Sequence, residues 1–300
     1  MALPRGLRAS LITAGDMRKA AAKRDEESDK YGHGTVVIVG GSSRYFGAPV
    51  LATNSAMQCI AALRVGAGHV RCYVPRSILD LARSFSPNAI VEGLGKSLIT
   101  FSPVVKRDIE RSSVLVLGMG IGYSAQEQEA SRKMILCAME SGTKVVADAG
   151  AMAAVKAMTM PIPSNVVITP HEKELSRFTG FAIPKEPIRR RIAIAKAAAQ
   201  EHGVTLVLKG HTTIITDGKN TRLNVARTPA LATMGTGDVL CGIIAGYAAI
   251  GNSAIDAAAA GVRLHSLIGD TLYGKMGNHI IATDVIDAIP AVARKFERYG

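Results

Sequence analysis

The sequence contains no tryptophan, and aromatic residues make up 4% of its 300 positions. Few flat platforms are therefore on hand for stacking single-stranded nucleic acid. Cysteine is scarce: Cys59, Cys72, Cys137 and Cys241 lie far apart, with no C-x-x-C and no paired Cys/His spacing. That pattern argues against a zinc site or a disulfide framework, and the thiols read as small buried apolar residues. No apolar run approaches the roughly 20 residues of a membrane-spanning helix. Between Met1 and Gly15 the apolar stretch Leu11-Ile12 is too short for a signal peptide, so a cytoplasmic protein with no membrane partner is expected. Acidic residues are outnumbered, 24 against 36 Lys and Arg, for a net charge of +12. Such a field favours anionic partners, either nucleic acid or phosphorylated small molecules. The positives are scattered, apart from Arg189-Arg190-Arg191, which weighs against a nucleic-acid interface.

What is abundant is core material. Hydrophobic residues reach 48% and charged residues 20%, which excludes global disorder. From Thr35 onward strand and helix patterns alternate. Val36-Val37-Ile38-Val39 is a short β-branched run ending in Gly40-Gly41, as a buried parallel strand should. A helix is expected from about Ala48 to Val65. Further strands are expected at Val70–Val74, Val114–Leu117, Lys144–Ala147, Val166–Ile168 and Thr205–Leu208. The last leads through Lys209-Gly210 into Thr212–Thr216 and Thr221–Val225, an antiparallel excursion turned at Asp217-Gly218. From Gly235 the chain is Ala-rich and helical, with breaks near Gly251-Asn252 and between Gly274 and Asn278. The alternation implies a three-layer α/β/α fold with a mostly parallel central sheet. Residues 1–33 read as a charged N-terminal arm or helix, and 34–300 as a single domain. In such sheets ligands bind beyond the carboxyl ends of the strands.

Three glycine-rich loops are candidates for binding an anion. Gly95-Lys96-Ser97 ends like a G-x-x-x-x-G-K-S loop, but Ile90 stands where the first glycine is required. Leu117-Gly118-Met119-Gly120-Ile121-Gly122 follows a strand, yet Tyr123 displaces the last glycine of the dinucleotide fingerprint. It reads as a tight turn, either structural or bringing backbone close to a ligand. In Gly235-Thr236-Gly237-Asp238 the glycines let the backbone wrap an anion, and the helix beginning near Asp238 aims its N–H groups at it. A carboxylate there is either a helix N-cap or a base beside a phosphoryl-transfer centre.

Gly235-Thr236-Gly237-Asp238 resembles the anion-hole motif of the ribokinase-like superfamily. The ordered set around it resembles the NAD(P)H-hydrate dehydratases: Val39-Gly40-Gly41-Ser42, Arg64-Val65-Gly66-Ala67-Gly68, Leu117 to Gly122, Asp148-Ala149-Gly150-Ala151, Ile168-Thr169-Pro170-His171 and Val207-Leu208-Lys209-Gly210. The resemblance implies a ribokinase-like lyase that repairs hydrated cofactors. A phosphoryl group passes from ADP, or from ATP in other members, to the hydroxyl of the S-form of hydrated NADH or NADPH, and loss of phosphate restores the cofactor. It further implies that Ala48, Gly120, His171 and Asp238 line the hydrated nicotinamide, with Gly235, Gly237 and Asp238 at the reacting centre. Lys209, Gly210, His211, Thr212, Thr213 and Gly237 would hold the nucleotide, accompanied by Mg2+. Asp148 is either a ligand organiser for magnesium or substrate, or a turn residue.

Two departures from the family pattern stand out. His171-Glu172-Lys173-Glu174 replaces H-P-G-E, which leaves the helix start less constrained, and Asp148-Ala149-Gly150-Ala151 replaces D-A-D-A. A homo-oligomer is expected. The 33 residues before Gly34 are too few for the epimerase domain that many members carry, so a separate epimerase is expected. The alternative reading is a small-molecule kinase of the same superfamily, acting on a vitamin precursor or a sugar.

Overall fold

The computed structural model describes residues 9–21, 29–30, 32–41, 48–85, 87–160 and 162–297, with backbone alone for 48–56. Most of the chain alternates short apolar strands with helices, and among the described residues ten strands join one sheet. They are β1 (Ser10–Leu11), β2 (Thr35–Val39), β3 (His69–Pro75), β4 (Ile90–Leu94), β5 (Val114–Leu117), β6 (Lys144–Ala147), β7 (Val166–Ile168), β8 (Thr205–Leu208), β9 (Thr212–Thr216) and β10 (Thr221–Val225). Their spatial order is β1-β10-β9-β8-β7-β6-β5-β2-β3-β4. The strands from β2 to β8 pair in parallel, while β9 runs antiparallel to both β8 and β10.

The continuous apolar runs are explained by burial on both faces, since successive side chains of a strand point to opposite sides. Val36 and Ile38 enter one core and Val37 and Val39 the other; Val116 and Leu117 divide the same way. The first core lies under α1 (Ala14–Ala20), α2 (Ala48–Val65), α3 (Leu79–Phe85), α9 (Thr236–Ala249), α10 (Ala254–Met276) and α11 (Ala282–Ala293). The second lies under α4 (Pro103–Glu110), α5 (Ala125–Ser141), α6 (Ala151–Lys156), α7 (Glu172–Thr179) and α8 (Ile188–His202).

Two details differ from the sequence expectations. Part of the expected arm is drawn into the sheet: β1 pairs in parallel with β10, and Met17 of α1 is fully buried. Arg222 of β10 fixes that helix by reaching Asp16 (3.6 Å) and Asp256 of α10 (2.6 Å). The strand β4 was not anticipated, because Ile-Val-Glu-Gly-Leu has no clean alternation and sits at a sheet edge, where Glu92 pairs with Arg71 of β3. The break expected between Gly274 and Asn278 falls at Gly277, which caps α10 after Met276.

From β2 the chain builds outward through β3 to β4, then returns to the other side of β2 and builds outward from β5 to β8. The strand order therefore reverses between β2 and β5, and the crevice beyond their carboxyl ends is where open α/β sheets bind ligands.

Candidate active site

Five of the loops singled out in the sequence emerge at this end of the sheet. Gly40-Gly41 follows β2, Gly118 to Gly122 follows β5, Asp148 follows β6, Thr169-Pro170-His171 follows β7 and Lys209-Gly210 follows β8. Because these strands are parallel neighbours, residues distant in sequence meet there. The first two loops touch directly, Gly41 N–H donating to Met119 O at 2.7 Å. The next pair is closer still: Gly118 has φ 134°, and a Cβ on it would lie 1.8 Å from the carbonyl oxygen of Asp148. Only glycine satisfies both the dihedral and the approach. Residue 149 is an alanine held at φ 45°, a conformation that costs about 1 kcal/mol or more for a side-chain-bearing residue. Gln128 braces the loops by donating to the carbonyls of Gly122 (2.7 Å) and Gly150 (3.1 Å).

At the centre is a compact charged group. Asp148, 8% exposed, accepts hydrogen bonds on Oδ1 from Thr169 Oγ1 (2.8 Å) and Lys209 Nζ (3.2 Å). Lys209 Nζ also lies 3.9 Å from Glu174 Oε2. Burial alone would lower the lysine pKa, but Asp148 foremost, with Cys241 and Glu174, more than offsets that and keeps it a firm cation. Asp238 feels the reverse balance. Burial and the nearby Asp148 charge raise its pKa to about 7 against the opposing pull of Lys209. A carboxyl so placed can both hold and release a proton near neutral pH.

The turn presenting Asp238 begins at Gly235, which has φ 86° and caps α9 with no side chain. Thr236 Oγ1 pins the turn by donating to the carbonyls of Leu231 (2.7 Å) and Thr233 (2.8 Å). The helix starts two residues earlier than the sequence suggested, so Asp238 is its third residue. The N-cap reading of Asp238 thus passes to Gly235, and the helix N-terminus stays open for an anion. His265 lies beside the Thr236 backbone, and burial lowers its pKa to about 4, so it is neutral at pH 7.

His171 caps α7. Its Nδ1 accepts from Glu174 N–H (3.2 Å), and Glu174 Oε2 accepts from His171 N–H (2.8 Å), a reciprocal capping box. The expectation of a loosely constrained helix start is therefore corrected. Glu172 tightens it further by pairing with the buried Arg191. Since Nδ1 is an acceptor, Nε2 is the nitrogen left to donate, and the ring is half exposed. Among the nucleotide-loop candidates, Thr213 Oγ1 donates to Gly210 O (3.0 Å) and Ala226 N–H to His211 O (2.9 Å), which fixes the path from Lys209 to Thr213. Gly120 adopts φ 68° in the β5 loop. The Ala48 side chain lies outside the described residues, as do Ser42 to Gly47.

Thr169, Glu174, Cys241 and His265 joined the site without having been assigned roles from sequence. Glu174 carried a signal, the acidic residue three positions after His171. The other three are brought in by the sheet and by the packing of α9 and α10.

The family model described as NAD(P)H-hydrate dehydratase matches residues 36–291. The ADP-dependent (S)-NAD(P)H-hydrate dehydratase of Cenarchaeum symbiosum is 34% identical over 97% of this chain and 99% of its own length. Among solved structures, a ribokinase-like superfamily protein of Enterococcus faecalis superposes with TM-score 0.84 at 26% identity, covering all of both chains. The ADP/ATP-dependent NAD(P)H-hydrate dehydratase of Bacillus subtilis, crystallised with ATP/Mg2+, shares the fold with TM-score 0.79 at 24% identity, over 97% of this chain and all of its own.

Proposed function

The chain belongs to the NAD(P)H-hydrate dehydratase family of the ribokinase-like superfamily, and on that premise we propose that it uses ADP to dehydrate the S-form of hydrated NADH or NADPH. In this reaction the hydrate hydroxyl attacks the terminal phosphorus of ADP and AMP leaves. Departure of inorganic phosphate from the phosphorylated hydrate, with release of a proton from the adjacent ring carbon, then restores the ring double bond.

The observation that carries the reading is Asp238, a carboxyl with its pKa raised to about 7, presented beside the Lys209 ammonium by a helix start that has no side-chain cap. Phosphoryl transfer rests on positioning and charge stabilisation. The Gly235-Thr236-Gly237 turn offers backbone donors to the transferring phosphoryl group. Lys209 supplies a fixed cation. Asp238, ionised, takes the proton of the attacking hydroxyl. His171 donates from Nε2 to the hydrated nicotinamide, alongside Gly120 and Ala48. Lys209 to Thr213 and Gly237 carry the nucleotide.

Magnesium fits this site only as a companion of the nucleotide. Asp148 already shares Oδ1 between Lys209 and Thr169. The described residues contain no group of three or more His, Cys, Asp or Glu side chains able to hold a metal. A Mg2+ ion would be held chiefly by phosphate oxygens, and the residues above act without a step through it. Assembly as a homo-oligomer is part of the same proposal. Among the described residues no helix is long and apolar enough to cross a membrane.

The test is turnover of the purified chain on hydrated NADH and NADPH with ADP or ATP, read by recovery of reduced-nicotinamide absorbance. ADP-supported recovery is expected. Phosphorylation of a hydroxymethyl vitamin precursor without hydrate turnover would replace this reading with the kinase one.

A further inference from the structure

The run Arg189-Arg190-Arg191 is the one cluster of positives in the sequence, and its three members have different fates. Arg189 and Arg190 are exposed, whereas Arg191 is 6% exposed. A guanidinium is seldom taken out of water without a reason, because desolvating it is costly unless its donors are satisfied. Here the satisfaction is incomplete. Nη1 binds Glu172 Oε1, while Nε is buried with no hydrogen-bond partner among the described residues. Burial with an unused donor is a poor arrangement if stability is the only end.

The surroundings supply another purpose. Arg191 is on α8, Glu172 opens α7 directly after His171, and Gly210 directly follows Lys209. A Cβ on Gly210 would lie 3.1 Å from Arg191 Nη2, so the guanidinium rests against the start of the 209–213 loop. One rigid, planar side chain thus spans the cap of α7 and the loop after β8. A lysine would hold a charge there but could not occupy both contacts in one plane.

We propose that Arg191 is a positioning residue that locks the 209–213 nucleotide loop to the start of α7, so that the nucleotide phosphates and the hydrate hydroxyl are held in register. The proposal rests on the functional reading above. Arg191 does not touch the reacting atoms. It acts through Gly210 on one side and through Glu172 on the other, and losing the link lets the loop drift while Lys209 keeps its own partners, Asp148 and Glu174.

The experiment uses the full chain and three variants, Arg191→Lys, Glu172→Gln and Gly210→Ala. Glu172→Gln leaves Arg191 in place, and Gly210→Ala sets a methyl 3.1 Å from Nη2, so that the guanidinium and the loop must separate by a few tenths of an ångström. For each, ADP affinity is measured by calorimetry, KM for ADP and for the hydrate by steady-state turnover, and Tm as the folding control. We expect ADP affinity to fall about tenfold in Arg191→Lys and Gly210→Ala, the range for losing an interaction of a charged hydrogen-bonding group. Glu172→Gln should show a smaller fall of the same kind, and hydrate KM should stay within about twofold. Lower Tm in Arg191→Lys and Glu172→Gln with unchanged ADP affinity and KM would overturn the proposal and leave Arg191 a purely structural ion pair. Wild-type turnover of the hydrate separately checks the functional reading, and calorimetric ADP binding still judges Arg191 if that turnover is absent.

Discussion

Asp148 and Lys209 stand at the ends of β6 and β8, the two strands flanking β7, and meet across it with Oδ1 and Nζ 3.2 Å apart. Asp238 responds to both: Asp148 raises its pKa and Lys209 lowers it. A change at Asp148 or at Lys209 is therefore expected to appear in the pH behaviour of Asp238.

Asp238→Asn removes the base but nearly preserves size. Turnover is expected to fall about 100-fold or more, within the usual range for losing a general base. In the unaltered protein kcat/KM should rise with pH through about 7, where Asp238 loses its proton, and level off above it. The Asn variant should lack that limb. The stability sign is opposite. A carboxyl with a raised folded-state pKa favours the fold when protonated, and that contribution is lost as pH rises through about 7. The Asn variant should therefore gain in Tm over the parent above pH 7 relative to its difference at pH 5. Near-normal turnover in a folded variant would sink the base assignment.

Lys209→Met takes away the cation facing Asp148 and Asp238. The KM for ADP is expected to rise about tenfold or more, as for loss of a charge-assisted hydrogen bond. The same change should move the limb near pH 7 to higher pH, since Lys209 holds the Asp238 pKa down, and Asp148→Asn should move it to lower pH. Parallel pH profiles of kcat/KM decide the matter, and a limb unmoved in both variants would break the coupling.

His171→Ala and His171→Asn separate two roles. Alanine removes both the cap and the ring, and the lost cap costs about 1 kcal/mol of stability. Asparagine restores capping through its side-chain oxygen but cannot present a donor at the Nε2 position. Both should weaken dinucleotide binding more than ADP binding, and Tm should recover in His171→Asn alone. If affinity recovers together with Tm, the histidine acts only as a cap.

Gly118→Ala probes the loop contact beneath the charged group. The new Cβ would fall 1.8 Å from Asp148 O at a φ of 134°, so the loop must shift or the fold must give. A loss of stability of about 2 kcal/mol or more is expected, together with lost turnover. A melting scan with normal Tm and full activity would contradict the close approach.

Much of the fold follows from local pattern. β-branched runs such as Val36-Val37-Ile38-Val39 are buried on both faces, and the strand bounds expected at β5 to β10 agree with those observed. Such runs carry their own signal because burial on both sides demands unbroken apolar sequence. The edge strands escaped notice for the converse reason. Ser10-Leu11 and Ile90 to Leu94 are short or interrupted by Glu92 and Gly93, and their pairing is dictated by β10 and β3 rather than by their own residues.

By itself the sequence determined the alternation of strand and helix, the positions of the glycine loops and the family pattern that runs through them. It did so because periodicity, turn chemistry and motif order are local properties of the chain. Tertiary structure alone decided which of these residues act on one another. Sheet order brings Asp148 to Lys209, and the approach of Gly118 to the Asp148 loop fixes the depth of that pair. Only the fold separates buried Arg191 from its exposed neighbours Arg189 and Arg190, although all three are one residue type. The physical reason is that a side chain's charge state and reach depend on burial and on partners contributed by other strands, and neither is present until the sheet has assembled.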